Sequence, residues 1–301
     1  GVTPRSLGLE RQVFWRKKVE MESVFPVKWR VNPHAPTVKH SEAAGAVFPP
    51  GVSRLVRGFH RQLPGYQISP LKGLPNLAAM LGLGGIWVKD ESQRLALRSF
   101  KILGGSYAIY RVVKSMLGVE QEIPFEDLTS DDVRRKLGDI TFAAATDGNH
   151  GRGVAWAASA MNFRSVIYVH KFTSQARIDA IAGCGAEVRV VDGTYDDAVR
   201  QADADARANG WQVISDTSWE GYEDIPRWVM QGYSTMLSEA QEQLAGQGIV
   251  KPTHILVQAG VGALAASVIG FYHQFFGEHD PVAVVVEPDK AACLYQSIEI
   301  S

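Results

Sequence analysis

Three glycine-flanked clusters and one aspartate hold the residue types that chemistry needs. Lys101 stands in Ser99-Phe100-Lys101 and is followed by Ile102-Leu103-Gly104-Gly105-Ser106-Tyr107. The spacing predicts that it opens a helix, where the macrodipole disfavours an ammonium. A neutral amine there suits carbonyl chemistry through a Schiff base. Gly104 and Gly105 inside that helix each cost about 1 kcal/mol against alanine, so they need a reason, such as a neighbouring backbone or a bound ring. The bland alternative is an exposed lysine on a first helical turn, the commoner fate of that residue type.

The second cluster is Thr146-Asp147-Gly148-Asn149-His150-Gly151-Arg152-Gly153, between an apolar strand and a helix. A glycine-rich strand-to-helix turn offers free amides to a carboxylate or phosphate. The bland alternative is a cap made by Asp147 or Asn149, which needs one such residue and not three glycines with an Asn-His pair. The third cluster, Gln258-Ala259-Gly260-Val261-Gly262-Ala263, follows a strand directly and has the same anion-binding chemistry. A packing turn would also explain it. So would a dinucleotide fingerprint, G-x-G-x-x-A from Gly260 to Ala265 with Glu287 ending the next strand. Asp216, in Ile214-Ser215-Asp216-Thr217-Ser218, falls at a strand end where α/β enzymes place chemistry, or where an ordinary turn places an aspartate.

These clusters need elements to position them. Apolar runs predict strands at 140–144, 165–169, 187–191, 212–214, 253–257 and 282–286, with a short one at 86–89. Amphipathic spacing predicts helices over 51–61, 73–81, 102–117, 151–161, 174–182, 195–208, 225–244 and 263–276. That alternation is the signature of open α/β sheets with parallel strands, whose sites lie beyond the C-terminal strand ends. Residues 1–50 are punctuated by proline and read as largely irregular, with helical periodicity only before Val24. The acidic stretch 118–136 reads as a solvated insertion. After the last strand no helix is expected to cover the sheet, and a C-terminal portion is expected to be missing.

Composition narrows the classes. With 301 residues, 46% hydrophobic and 21% charged, the chain can bury a sizeable core. A net charge of −1 calls for neither nucleic acid nor an anionic membrane. No apolar run approaches the roughly 20 residues of a membrane span. Two cysteines, Cys184 and Cys293, exclude a disulfide scaffold and a zinc cluster, and no metal is expected. The default compartment is the cytosol.

Lysine first, then the asparagine loop, then the late glycine loop: this order resembles the fold-type II pyridoxal-phosphate enzymes of the tryptophan synthase β superfamily. Finer matches are Val88-Lys89-Asp90-Glu91-Ser92, Phe100-Lys101-Ile102-Leu103-Gly104-Gly105, Asp147-Gly148-Asn149-His150-Gly151, Asp216-Thr217-Ser218-Trp219-Glu220-Gly221-Tyr222 and Glu287-Pro288-Asp289-Lys290. These resemble the diaminopropionate ammonia-lyases, from about Gly51 onward. Threonine dehydratases usually have Ser-Ala-Gly-Asn where Thr146-Asp147-Gly148-Asn149 stands here.

The resemblance implies an α/β fold of two open twisted sheets: a large cofactor domain from 1–103 and 223–301, and a small inserted domain over 104–222. It implies pyridoxal 5'-phosphate on Lys101, its ring hydroxyl on Asn149 and its phosphate on the amides of Gly260, Val261, Gly262 and Ala263. Asp147 and Asp216 become the bases, and Asp147, Gly148 and His150 contact a small amino-acid substrate. The implied reaction is elimination of ammonia from 2,3-diaminopropionate to give pyruvate, in a cytosolic homodimer. A helix N-terminus stabilises ionised Asp147, which is in tension with a base role. Cys293 matches a family cysteine that pairs with a later one, and is expected to be free here. The rivals are a serine or threonine dehydratase, a nicotinamide oxidoreductase, and a non-catalytic truncated relative.

Overall fold

The structure, a computed structural model, describes residues 27–33, 42–95 and 97–300. Residues 1–37 and 38–301 form separate units. In the first, residues 27–33 are exposed and lack helix or strand. The rest of the irregular segment expected over 1–50 lies mostly outside the described residues, the helix before Val24 included. What is described of its end contains a helix, α1 (Glu42–Val47).

In chain order the second unit continues with α2 (Val52–His60), β1 (Leu71–Gly73), α3 (Pro75–Met80), β2 (Trp87–Lys89) and α4 (Lys101–Met116). Then come α5 (Phe125–Leu128), α6 (Asp131–Leu137), β3 (Thr141–Ala145), α7 (Asn149–Ala160), β4 (Arg164–His170), α8 (Gln175–Ala182), β5 (Glu187–Val191), α9 (Tyr195–Asn209) and β6 (Gln212–Val213). The chain ends with α10 (Asp224–Ala245), β7 (His254–Gln258), α11 (Ala263–Phe276), β8 (Val282–Val286) and α12 (Cys293–Ile300).

Four strands make one parallel sheet in the order β5-β4-β3-β6. β3 and β4 are buried on both faces, as their unbroken apolar runs require of central parallel strands. The chain winds outward from β3 to β4 to β5, then returns through α9 to lay β6 on the other side of β3. The direction of winding therefore reverses between β3 and β6, and at such a switch point an open sheet has a crevice beyond its strand ends. The residues that follow these two strands begin at Thr146 and Ile214, so the Asp147 loop and the Asp216 loop both open into that crevice. β7 and β8 pair in parallel, Val257 opposite Val285.

α4 is the central helix. Eleven of its sixteen residues, from Ile102 to Val113, are buried, and each fully buried aliphatic side chain contributes about 2 kcal/mol. It lies between α7 and α10, and its paired glycines make that possible. A Cβ on Gly105 would meet the Gly153 backbone of α7 at 3.3 Å, and one on Gly153 would meet the Lys101 carbonyl at 3.1 Å. On the other side, a Cβ on Gly232 of α10 would meet the Leu103 carbonyl oxygen at 2.4 Å. The glycines serve close backbone approach.

Four expectations need correction. Residues 71–73 form a strand that pairs antiparallel with 87–89, so the helix expected over 73–81 starts only at Pro75, where proline's missing amide costs nothing. The stretch 118–136 is no solvated insertion: α5 and α6 run through and beyond it, with Leu128 and Val133 in the core. Its acidic residues crowd helix N-termini, where the dipole favours them. A helix, α12, does follow the last strand. The Glu287 carboxylate heads it, accepting the amides of Leu294 and Tyr295 at 3.0 and 2.8 Å. Finally, α1 falls within the segment read as irregular.

Candidate active site

Lys101 opens α4 as its first residue, its amide donating to Ser99 Oγ at 3.3 Å. Its side chain is 22% exposed, and Nζ donates to Asp216 Oδ2 at 2.5 Å. The ring centres of Phe100 and Tyr233 lie 5.6 and 5.8 Å from Nζ, and the two rings meet edge to face at 5.1 Å. The lysine amine therefore sits in an aromatic wall with one carboxylate beside it.

Asp216 follows β6, and that strand end is braced. Tyr222 Oη donates to the Val213 carbonyl at 2.7 Å and accepts the Ser215 amide at 2.9 Å. Trp219 stacks on Tyr222 at 4.0 Å. His150, on the first turn of α7, donates through Nε2 to the Ile214 carbonyl at 2.9 Å. Its Nδ1 faces Asp216 at 3.9 Å and has no hydrogen-bond partner. Burial alone pushes the Asp216 carboxyl up, but His150 and Lys101 more than reverse that and hold it at about 2. Asp216 is thus a carboxylate over the whole physiological range.

Lys101, His150 and Asp216 are brought together. Asp147 is directed elsewhere in the same crevice: it accepts from Arg177 at 2.6 Å and lies 3.6 Å from His170. Neither it nor Asn149 caps α7, because Gly148 is the N-cap and no side chain bonds the first turn. Asn149 is exposed and accepts from Arg152 at 3.2 Å. The Gly148 amide donates to Thr146 Oγ1 at 3.2 Å.

The late glycine loop heads α11. Gly262 is its N-cap at φ +94, a conformation that side chains strongly disfavour. A Cβ on Gly260 would meet nothing within 4 Å, and Gly260 and Val261 are exposed while Ala263 is buried, so the front of this loop can be approached from outside. The first amides of a helix have no partner inside it. Ser267 of α11 donates to the Met230 carbonyl of α10 at 2.8 Å, and Tyr233, one turn along α10, packs on Lys101. The head of α4 and the second turn of α11 are therefore tied to successive turns of α10.

Some site residues escaped the sequence reading. Tyr233 lies 132 positions from Lys101 on a helix with no local signal. Its hydroxyl is buried without a partner, and burial, then the Asp216 charge, push it well above its usual value. Tyr195, at the head of α9, feels both carboxylates: burial first, then Asp216 and Asp147, push its hydroxyl up. Phe100, adjacent to the lysine, was within reach of the motif itself.

A lysine amine at a helix head, a carboxylate at the switch point of a parallel sheet and a glycine loop fit for an anion together define an α/β enzyme class that holds a phosphorylated carbonyl cofactor. A family model described as pyridoxal-phosphate dependent enzyme matches residues 63–301, and the chain belongs to that family. It is 46% identical over 247 residues to the diaminopropionate ammonia-lyase of Salmonella typhimurium, covering 82% of this chain and 61% of that protein. It is similar to the crystal structure of the Escherichia coli diaminopropionate ammonia-lyase in complex with D-serine, with a TM-score of 0.79, 45% identity and coverage of 84% of this chain and 64% of that one. The processed form of threonine deaminase isoform 2 from Solanum lycopersicum shares the fold, with a TM-score of 0.67 at 23% identity. The chain spans about three fifths of the length of the curated ammonia-lyases it matches. Among the described residues, no helix is long and apolar enough to cross a membrane.

Proposed function

We propose that this chain carries the catalytic core of a pyridoxal-phosphate-dependent lyase that converts 2,3-diaminopropionate and water to pyruvate and two molecules of ammonia. The observation that carries the reading is the mostly buried Lys101 amine, 2.5 Å from a carboxylate that is ionised at neutral pH. The residues fit the cofactor: the orphaned Tyr233 hydroxyl lies near Lys101, and the open Gly260 turn with Gly262 at positive φ suits a phosphate.

In this reading Lys101 Nζ would hold the cofactor covalently, Asn149 would bond its ring hydroxyl, and the amides of Gly260, Val261, Gly262 and Ala263 would bind its phosphate. When bound, pyridoxal phosphate supplies the electron sink that makes a Cα proton removable. Asp216 and Asp147 each take a proton, from opposite faces of Cα, so two carboxylates on different strand ends serve two enantiomers. Asp216 would gain basicity if Lys101 Nζ beside it gave up its proton. Both carboxylates favour a cationic β-amine, a group that hydroxy amino acids lack. Gly148 and His150 complete the substrate contact, and His150 also holds Asp216 ionised. We further propose that residues 104–222 form a small domain inserted into a larger one, and that the protein works as a cytosolic homodimer. Family resemblance supports both.

Purified protein is expected to be yellow and to release pyruvate from 2,3-diaminopropionate faster than from serine. Lys101→Ala is expected to lose both the colour and the activity. A colourless wild-type protein, or faster release from serine, would overturn the assignment.

A further inference from the structure

A cavity of about 400 Å³ lies away from Lys101, between the α1–α2 connection, the middle of α4 and the first turns of α10. Its volume falls within the range of about 300–1,000 Å³ usual for small-molecule sites. Arg111, Lys114, Glu120, Arg227, Trp228 and Gln231 are in its lining. Arg111 is ten residues along α4 from Lys101, about 15 Å at the helical rise.

The charges of this cavity are incompletely matched. Lys114 is paired with Glu122 at 2.6 Å and Arg227 with Asp224 at 3.1 Å. Arg111 has no carboxylate among the described residues. Its guanidinium lies 5.0 Å from the Trp228 ring centre and 5.9 Å from that of Tyr107, and it donates weakly to Tyr107 Oη at 3.4 Å. A flat guanidinium held over an indole, with most of its donors unspent, is ready for a carboxylate. Gln231 is 4% exposed; its Nε2 donates to the Val47 carbonyl at 2.7 Å, and its Oε1 accepts nothing. Leaving such an acceptor buried is costly, and a ligand N–H would recover that cost. Glu120 likewise has no cation beside it among the described residues.

One cation without an anion, one anion without a cation and one buried acceptor have a zwitterion as their complement. We propose that this cavity binds a small free amino acid, its carboxylate on Arg111 over Trp228 and its ammonium toward Gln231 Oε1 and Glu120. The site is separate from the lysine and does not depend on the reaction assigned to it.

The test is calorimetric titration with glycine, acetate and methylamine, on the wild-type protein and on Lys101→Ala, Arg111→Met, Arg111→Lys and Gln231→Leu, each checked for a cooperative melt. Glycine is expected to bind wild type and Lys101→Ala alike, and at least 10-fold more weakly when Arg111→Met or Gln231→Leu is present. Arg111→Lys, which keeps the charge and loses the fork, should fall between. Acetate and methylamine should each bind at least 10-fold more weakly than glycine. Loss of glycine binding in Lys101→Ala would assign it to the lysine site and overturn the proposal. Unchanged binding in both Arg111 variants, or acetate binding as tightly as glycine, would overturn it too.

Discussion

At the scale of single residues, Asp216 concentrates the electrostatics of the site. Its carboxyl is held at about 2 against an ordinary value of 3.8, although burial works the other way. That lowering corresponds to roughly 2 kcal/mol of folding stability. A depressed carboxyl stabilises above its unfolded value and loses that contribution as pH falls through its folded value. The relevant window is therefore about pH 4 down to about pH 2. Chemical denaturation of wild type and Asp216→Asn across pH 5 to 2 should show the gap in unfolding free energy narrowing by roughly 2 kcal/mol. A gap that stays constant would mean that neither His150 nor the Lys101 pair stabilises the fold. This pair could not be read from sequence: Lys101 and Asp216 were each visible as candidates, but the 2.5 Å contact joins positions 115 apart. Asp147 shows the converse. Its place at the strand end was legible, while Arg177 and His170, which hold it, lie on later elements and gave no sign.

At the scale of elements, the position of Lys101 depends on how closely α7 and α10 approach α4. Gly232→Ala would put a Cβ 2.4 Å from the Leu103 carbonyl and 2.7 Å from Gly104 Cα, against backbone that cannot swing away. The expected cost is about 1–3 kcal/mol, as for overpacked cores, with weaker pyridoxal-phosphate binding because the first turn of α4 is displaced. Gly58, exposed on α2 with nothing within 4 Å, is the control. Gly58→Ala should stabilise by up to about 1 kcal/mol, because alanine loses less backbone entropy in a helix. Urea unfolding with cofactor titration checks both, and equal effects would show that helix propensity alone is at work. The parallel strands and their helices were legible because their hydrophobic periods are long and regular. The β1–β2 pair, three residues a side, is too short to show a period. In 118–136 the acidic first turns of short helices masked the buried Leu128 and Val133.

At the scale of the molecule, the segment before Lys101 must be fixed against α10, and a buried ionic knot does this. Arg94, fully buried, donates to both Glu239 oxygens at 2.9 and 2.6 Å, to both Glu91 oxygens at 2.8 Å, to the Gln67 carbonyl and to Ser69 Oγ. Lys89 and Tyr66 complete the shell of Glu239 at 2.8 and 2.6 Å. Burial raises the Glu239 carboxyl, yet these donors hold it at about 2. From this anchor the chain passes through Leu95 at φ +45 and Arg98 at φ +55 to reach Lys101. Each left-handed non-glycine residue costs about 1–3 kcal/mol, and such strain persists only where the surroundings enforce it. Glu239→Ala leaves Arg94 and Lys89 as buried cations with too few partners, and should cost about 3–5 kcal/mol. Arg94→Met with Glu239→Leu together removes one buried cation with one buried anion, leaves Lys89 and Glu91 to offset each other, and should recover part of that loss, because an apolar pair of similar volume replaces the ions. Unfolding free energies of Arg94→Met, Glu239→Leu and the double variant, set in a thermodynamic cycle, measure the coupling. A single-variant cost under about 1 kcal/mol would show that water reaches the knot. In that case the left-handed turn into the lysine would have to be enforced by the packing of α4 against its neighbours instead.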